Sequence, residues 1–286
     1  MHLRYRLVNV FTQDTGKLTG NPLCVFEDAT GLSDADMQAL ALQFNLSETT
    51  FIFPSERATH GAPAHARVRI FTPAYEMPFA GHPTLGTAHV VRALQRLNDT
   101  IVLALNVGPI AVSVEGNRFE LRANRATTRA PKASRGELAS ALGLSDADVL
   151  DAPLWVNSGS EQLIVPLASA NAVGQVRVSF DALKRATQDG PRAQAYVFAA
   201  TGDETLLSRF FFHKGESVIE DPATGSATAN LGGWYLARGA RLPMAKTIAQ
   251  GELAGRPSTL HLRIDPLGDV FVAGTVLELG SGQIEL

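Results

Sequence analysis

One internal repeat constrains this chain more than any other feature. Asp221-Pro-Ala-Thr-Gly-Ser-Ala227 lies on His82-Pro-Thr-Leu-Gly-Thr-Ala88 when the numbering is shifted by 139, so that Pro222 meets Pro83, Gly225 meets Gly86, Ser226 meets Thr87 and Ala227 meets Ala88. His82 then falls on Asp221. A strand-like run precedes each copy, at residues 68–72 and 207–212, and a small-residue apolar run follows each. Similarity over such a distance points to duplicated supersecondary units. Pro suits the first helical turn, where its missing N–H would be unpaired anyway, and a polar residue just before it stands where an N-cap belongs. The repeat predicts two copies of strand, turn and buried helix. The helices should begin near Pro83 and Pro222, each with one ionisable side chain at its mouth.

Composition then removes several classes. A chain of 286 residues fills one large domain or two ordinary ones. The net charge of −3 gives no drive towards nucleic acid. The longest apolar runs are strand-sized, well short of the ~20 residues that span a bilayer, so no membrane partner is expected. Met1-His-Leu-Arg-Tyr-Arg-Leu7 carries no apolar signal core, which predicts a cytoplasmic protein. The single cysteine, Cys24, leaves no internal disulfide and no Cys-rich metal site. Within Pro22-Leu-Cys-Val-Phe26 it reads as a buried, inert thiol.

Along the chain, period-two and β-branched patterning predicts strands at 6–11, 22–27, 49–53, 68–72, 100–107 and 110–122, the last broken by a turn at Glu115-Gly-Asn117. Further strands are expected at 154–157, 162–167, 195–200, 206–212, 259–264, 270–278 and 283–286, with loops at 15–21 and 54–64. Ser33, with Asp36 three residues on, resembles a capping box ahead of the apolar stripe Met37, Leu40, Ala41 and Phe44. Helices are also expected at 83–97, 136–144, 180–188 and 228–238, and the first of these is apolar on nearly every side. Leu144-Ser-Asp-Ala-Asp148 repeats Leu32-Ser-Asp-Ala-Asp36 and reads as a second use of one helix-start signal. Residues 162–167 fall on 21–26 under a slightly larger shift, extending the duplication. Residues 118–135 carry six basic side chains against one acid and few apolar ones. Without interleaved aromatics this is a solvated linker at a domain boundary rather than a nucleic-acid arm.

The zincin, phosphate-loop, dinucleotide and nucleophile-elbow motifs are absent from the sequence. His82 and His89 could share a helix face, but His89 lies in a buried helix and reads as a hydrogen-bonded core residue. The other histidines (His2, His60, His65, His213 and His261) lack ligand spacing, so no metal is expected. What remains is acid–base chemistry by Glu48, His82 and Asp221. A carboxyl in a partly dry site has its pKa raised towards neutrality, and an imidazole needs little tuning. Unpaired amides around Gly81, Gly225 and Ser226, at the positive ends of helix dipoles, suit a carboxylate or phosphate. The plainer alternative is two capped helices, with Glu48 a surface carboxylate at a strand end.

Gly20-Asn-Pro22, Leu46-Ser-Glu-Thr-Thr50, Phe79-Ala-Gly-His-Pro-Thr-Leu-Gly86, Glu220-Asp-Pro-Ala-Thr-Gly-Ser-Ala227 and Gly255-Arg-Pro-Ser258 resemble, in order and spacing over the whole chain, the signatures of the phenazine-biosynthesis PhzF-like family. The resemblance implies an α+β fold like that of diaminopimelate epimerase. There, two pseudo-symmetric lobes each wrap a curved, mainly antiparallel, barrel-like sheet around one central helix, and the active site lies in the cleft between them. The expected lobes are residues 1–122, joined by the C-terminal strand 275–286, and residues 123–274. By motif, the resemblance implies Glu48 as the proton-transferring residue, with His82 and Asp221 beside it. Ser47, Gly81, Gly225 and Ser226 become substrate contacts, with no metal, no cofactor and a homodimeric habit. The type member isomerises trans-2,3-dihydro-3-hydroxyanthranilate by moving an allylic proton. Segment 157–162 departs from the family's Gly-x-Pro pattern, and the two thiols of the epimerase relatives are replaced by Gly-His and Thr-Gly-Ser, which excludes a two-thiol racemase. Two readings stand: a cofactor-independent isomerase acting on a small, carboxylate-bearing, cyclic or unsaturated substrate, or an idle small-acid binder or interaction scaffold on the same fold.

Overall fold

In a computed structural model, which describes residues 1–13, 16, 18–55 and 64–286, the chain divides into two units. One comprises Met1–Arg122 and Ala273–Leu286, the other Ala123–Val272. The loops expected at 15–21 and 54–64, and His60 with them, fall partly outside the described residues.

The first unit runs β1 (His2–Val10), β2 (Asn21–Phe26), α1 (Asp34–Phe44), β3 (Thr49–Pro54), β4 (Ala66–Phe71), the two-residue β5 (Glu76–Met77), α2 (Gly81–Gln95), β6 (Thr100–Leu105), β7 (Gly108–Glu115) and β8 (Arg118–Arg122). Strands β1 and β2 pair antiparallel, β2 and β3 parallel, β3 and β4 antiparallel, β4 and β6 parallel, and β6–β7 and β7–β8 antiparallel. The last strand of the chain (Val270–Glu285) pairs with both β1 and β8 and closes the ring. Helix α2 sits within it, touching β1, β2, β3, β4, β6 and β8, and is buried continuously from His82 to Ala88. Helix α1 packs on another face of the sheet. Ser33 Oγ accepts the Asp36 N–H at 3.2 Å while the Asp36 carboxylate accepts the Ser33 N–H at 3.0 Å, the expected capping box. Beneath α1, Phe26 stacks on Phe51 at 5.0 Å and Phe51 meets Phe71 edge-on at 5.5 Å.

The second unit runs β9 (Thr127–Arg129), α3 (Arg135–Leu142), β10 (Leu154–Asn157), β11 (Glu161–Pro166), α4 (Ala170–Gln175), α5 (Phe180–Ala186), β12 (Gln194–Ala200), β13 (Thr205–Lys214), β14 (Ser217–Asp221), α6 (Gly225–Ala237), β15 (Met244–Gln250) and β16 (Ser258–Ile264), and leads into the last strand, β17. Its pairings repeat those of the first unit in order and direction: β10–β11 antiparallel, β11–β12 parallel, β12–β13 antiparallel, β13–β15 parallel, β15–β16 antiparallel. A short hairpin precedes the buried helix in both units, β4–β5 before α2 and β13–β14 before α6.

The buried helices do begin near Pro83 and Pro222, at Gly81 and Gly225, two residues before the first proline and three after the second. Pro83 is accommodated at the third helical position, whose N–H has no intrahelical partner either. Several expectations need correction. The basic stretch at 118–135 is not a bare linker: it supplies β8 and β9. Arg129 donates to Glu161 and Asp189 at 2.9 Å and lies 5.1 Å over the Trp155 ring. The second Leu-Ser-Asp-Ala-Asp stretch yields only a single 3-10 turn, Asp146–Asp148. Residues 270–278 and 283–286 form one strand with an irregularity facing Leu7 and Val8. Strands β14 and β15 and helix α4 carry no periodic signal in the sequence.

Enclosure demands small residues on the central helix. A Cβ on Gly86 would meet Leu23 Cδ2 at 2.5 Å and Val10 Cγ2 at 3.0 Å. At Gly174, in α4, nothing lies within 4 Å of that position. Alanine gains about 1 kcal/mol of helix propensity over glycine, while overpacking a core costs about 1–3 kcal/mol. Gly86→Ala should therefore lower stability in urea unfolding, and Gly174→Ala should raise it by about 0.5–1 kcal/mol. Equal effects would refute the enclosed helix.

Candidate active site

Glu48 ends the connection from α1, directly before β3, where Asn45 (φ 50°) has turned the chain out of the helix. His82 is the second residue of α2. Each element carries its residue to the same place: His82 Nε2 lies 3.4 Å from Glu48 Oε2, with the two side chains only 7% and 15% exposed. The other ring nitrogen of His82 is hydrogen-bonded to the backbone of Pro22. Proline has no N–H, so the partner is its carbonyl and Nδ1 must donate. Nε2 makes no hydrogen bond among the described residues. Burial outweighs the Pro22 bond and pushes the imidazole pKa down to about 3. At neutral pH the ring is therefore uncharged, protonated on Nδ1, and turns the Nε2 lone pair towards a carboxyl oxygen. Such a pair is attractive when one proton lies between the two atoms and repulsive when none does. Ser47 precedes Glu48 and is exposed.

The start of α2 is open. Its N-cap, Ala80, offers no side chain to the first N–H groups. The same holds for α6, whose N-cap Thr224 makes no side-chain cap. Helices α1, α3 and α4 are capped by Ser33, Ser134 and Ser169. As at α5, whose N-cap Ser179 makes no side-chain cap either, the first N–H groups of α2 and α6, around Gly81 and Gly225, receive no bond from the N-cap side chain.

In the second unit the Thr224 hydroxyl is used differently: it lies 2.5 Å from Asp221 Oδ2. Asp221, expected at the helix mouth as a cap, is the last residue of β14, three residues before the N-cap. Gln250, at the end of β15 and fully buried, fastens this turn. Its Nε2 donates to the Asp221 carbonyl and to Thr224 Oγ1, both at 2.9 Å, and its Oε1 accepts the Thr224 N–H at 3.3 Å. Ser226, the second residue of α6, accepts from Gln162 Nε2 at 3.0 Å. Sequence reasoning missed Gln250 and Gln162, since a buried glutamine at a strand end has no periodic or motif signature.

Matched by helix start, Gly81 corresponds to Gly225 and His82 to Ser226, a shift of 144, whereas letter matching at 139 sets His82 against Asp221. The preceding hairpins explain the difference. Arg69 forks onto Glu76 (2.8 and 2.6 Å) and lies 5.1 Å over Phe71. Arg209 forks onto Glu220 (3.0 and 2.7 Å) and lies 4.6 Å over Phe211. The Arg and Phe positions thus align at a shift of 140, and the longer β13–β14 hairpin tip brings Glu220 and the helix start to 144. In sum, Glu48, Gly81 and His82 meet in the first unit, and Asp221, Gly225 and Ser226 share one turn in the second.

His89 is half-buried against Phe119, 5.5 Å between rings, with its pKa lowered chiefly by burial. Cys24 is buried, which pushes its thiol far above the ordinary value. Among the described residues, no three His, Cys, Asp or Glu side chains gather as a metal site, and no helix is long and apolar enough to cross a membrane.

Residues 8–277 match the family of phenazine biosynthesis-like proteins, PhzC-PhzF. An uncharacterized isomerase of Pasteurella multocida is 36% identical, covering 98% of this chain and 93% of its own length. The trans-2,3-dihydro-3-hydroxyanthranilate isomerase of Pseudomonas aeruginosa is 34% identical, covering all of both chains. Among solved structures, a Bacillus anthracis phenazine biosynthesis protein of the PhzF family covers both chains fully with a TM-score of 0.85 at 22% identity, a likeness of fold.

The pKa of His82 carries a consequence for stability. Its folded value, about 3, lies below the ordinary 6.5, so the unfolded chain takes up the proton first as pH falls. The stability contributed by the neutral ring is complete above pH 6.5 and drains away between 6.5 and 3. Denaturation midpoints measured from about pH 7.5 to 4.5 should fall more steeply for the wild type than for His82→Gln. Parallel slopes would mean that the ring is not held neutral.

Proposed function

The chain belongs to the phenazine biosynthesis-like PhzC-PhzF family, and on that premise we propose that it is a cofactor-independent isomerase that moves a proton within a small, carboxylate-bearing, cyclic or unsaturated substrate, using Glu48 as the acid–base. That the protein is an isomerase agrees with the names of its relatives; the substrate class and the residue roles are our reading. The observation that carries it is the Glu48–His82 pair, 3.4 Å apart, nearly dry, at a helix start left without a cap.

The step needs no external reactant. Glu48 as carboxylate takes the proton from an sp³ carbon beside a double bond. The C–H pair enters the π system, the double bond shifts by one position, and the carboxylic acid returns the proton to the far carbon. Between the two transfers the proton rests on Glu48, where the neutral His82 Nε2 can accept a hydrogen bond from the acid. The neutral ring places no positive charge beside Glu48 to favour its ionised form, so the carboxylate stays a strong enough base when it forms. Asp221, negative and anchored by Thr224, takes a substrate amine or hydroxyl. The substrate carboxylate goes to Ser226 and the N–H groups at the start of α6, around Gly225, where the helix dipole favours an anion, and the start of α2 at Gly81 offers the same kind of donor in its own unit. The active molecule is proposed to be a homodimer.

Two substitutions test the reading. General acid–base catalysis contributes about 10²–10⁴-fold, so Glu48→Gln should lose that factor in kcat with little change in KM, while Cys24→Ser should change neither. The assay follows deuterium uptake from heavy water by trans-2,3-dihydro-3-hydroxyanthranilate and a panel of cyclic amino and hydroxy acids. Binding of panel members without label uptake by the wild type would favour an idle small-acid binder, and near-normal turnover in Glu48→Gln would sink the mechanism.

A further inference from the structure

A chain of amides runs from a loop of the second unit to the Ser226 hydroxyl. Asn230, on α6 and fully buried, accepts the backbone N–H of Ser158 at 2.9 Å and the Ser158 hydroxyl at 2.7 Å on Oδ1. Its Nδ2 donates to the Ser160 carbonyl and to Gln162 Oε1, both at 2.8 Å. Gln162, 3% exposed, donates through Nε2 to Ser226 Oγ at 3.0 Å.

Most side-chain amides can turn over and exchange donor for acceptor. This chain cannot, because both its backbone ends have fixed polarity. The Ser158 N–H only donates and the Ser160 C=O only accepts, so Asn230 has one orientation. Asn230 then presents N–H to Gln162, which must accept with Oε1 and donate with Nε2. Ser226 oxygen therefore accepts, and its own proton points away from Gln162.

We infer that Gln162 and Asn230 are positioning residues that commit the Ser226 hydroxyl to donate to an anionic oxygen of the ligand, a carboxylate. The inference rests on the reading above, that Ser226 holds the substrate carboxylate. It also gives a use to segment 157–162, which departs from the family's Gly-x-Pro pattern: Ser158 and Ser160 supply the two fixed ends, and Gln162 is the last link.

Gln162→Glu tests it with almost no change of shape. A carboxylate at this position still accepts from Asn230 but can only accept from Ser226, so the serine proton is drawn off the ligand. With anthranilate as probe, calorimetric titration at about pH 8 should show a loss of roughly tenfold or more relative to wild type, the order of one charge-assisted hydrogen bond. Lowering the pH until the introduced carboxylate protonates and can donate again should recover most of it. In a Ser226→Ala background, which has no hydroxyl to turn, the same substitution should cost no more than about threefold. Asn230→Asp, which cannot donate to Gln162 and so turns that amide over, should reproduce the loss from one link further back, and serves if Gln162→Glu does not fold by circular dichroism. An equal loss with and without the Ser226 hydroxyl, no loss at all, or no anthranilate binding by the wild type would each overturn the proposal. None of these measurements uses turnover, so the proton-transfer role of Glu48 stands or falls separately, on Glu48→Gln.

Discussion

A helix whose first turn is buried must find partners for N–H groups that no residue of the helix can satisfy. This protein places serine caps on α1, α3 and α4 and no side-chain cap on α2, α5 and α6, of which α2 and α6 are enclosed by sheet. At α2 the N-cap is an alanine, and at α6 the cap threonine is turned to Asp221. An open, buried helix start costs stability, and the fold around it shows where that cost is offset. Strands packed around α2, and small residues along both helices, supply apolar burial at roughly 25 cal/mol per Å². At neither start does the N-cap side chain bond the first N–H groups.

Duplication explains how one chain came to have two such starts, and divergence explains why they differ. The pairing order antiparallel, parallel, antiparallel, parallel, antiparallel recurs in both units, and each hairpin before the buried helix is braced by an Arg–Glu fork over a phenylalanine. The second helical position is occupied by His82 in one unit and Ser226 in the other. Each is held from the equivalent strand, but by different means: His82 by the Pro22 carbonyl, Ser226 by the Gln162 side chain. A backbone carbonyl can only accept, so His82 must donate to it. The amide of Gln162 donates, so Ser226 must accept. Related positions are thereby given opposite hydrogen-bond roles, a lone pair turned outward from His82 and a proton turned outward from Ser226.

Much of this is legible in the residues. The capping box at Ser33 and the strands with β-branched or alternating patterns appear where expected, because their signals are local. The repeat is visible too, but letters misplace it. Matching Pro83 with Pro222 skips the longer β13–β14 hairpin, so the alignment at 139 fits neither the strands, at 140, nor the helix starts, at 144. Leu-Ser-Asp-Ala-Asp shows the limit of local signals. At Ser33 the apolar stripe behind it lets the helix run to Phe44. At Ser145 the same box stops after one turn, because Val149 is taken into a bridge with Leu167. Strands β14 and β15 escape notice because Ser217–Asp221 and Met244–Gln250 alternate polar and apolar residues weakly, and their partners in β13 and β16 decide their conformation. The motif residues Glu48, His82, Asp221 and Ser226 can be picked out by type and context. Gln162, Asn230 and Gln250 cannot, since their importance lies in which groups they join across distances of up to 72 residues.

The protonation of Glu48 and His82 follows from the same economy of polar groups. A histidine beside a carboxylate is usually read as an ion pair, with the imidazole charged. Here the ring is buried, its Nδ1 proton is committed to Pro22, and burial outweighs what that bond offers to the charged form. Charging His82 would require a second proton on Nε2 in a nearly dry site, which burial opposes. The Glu48 carboxyl oxygen therefore faces an uncharged Nε2 rather than an imidazolium N–H. Moving His82 one position along α2 would lose the Pro22 bond and free the ring to change tautomer. The carbonyl of a residue that cannot itself donate thus decides which ring nitrogen of His82 carries the proton.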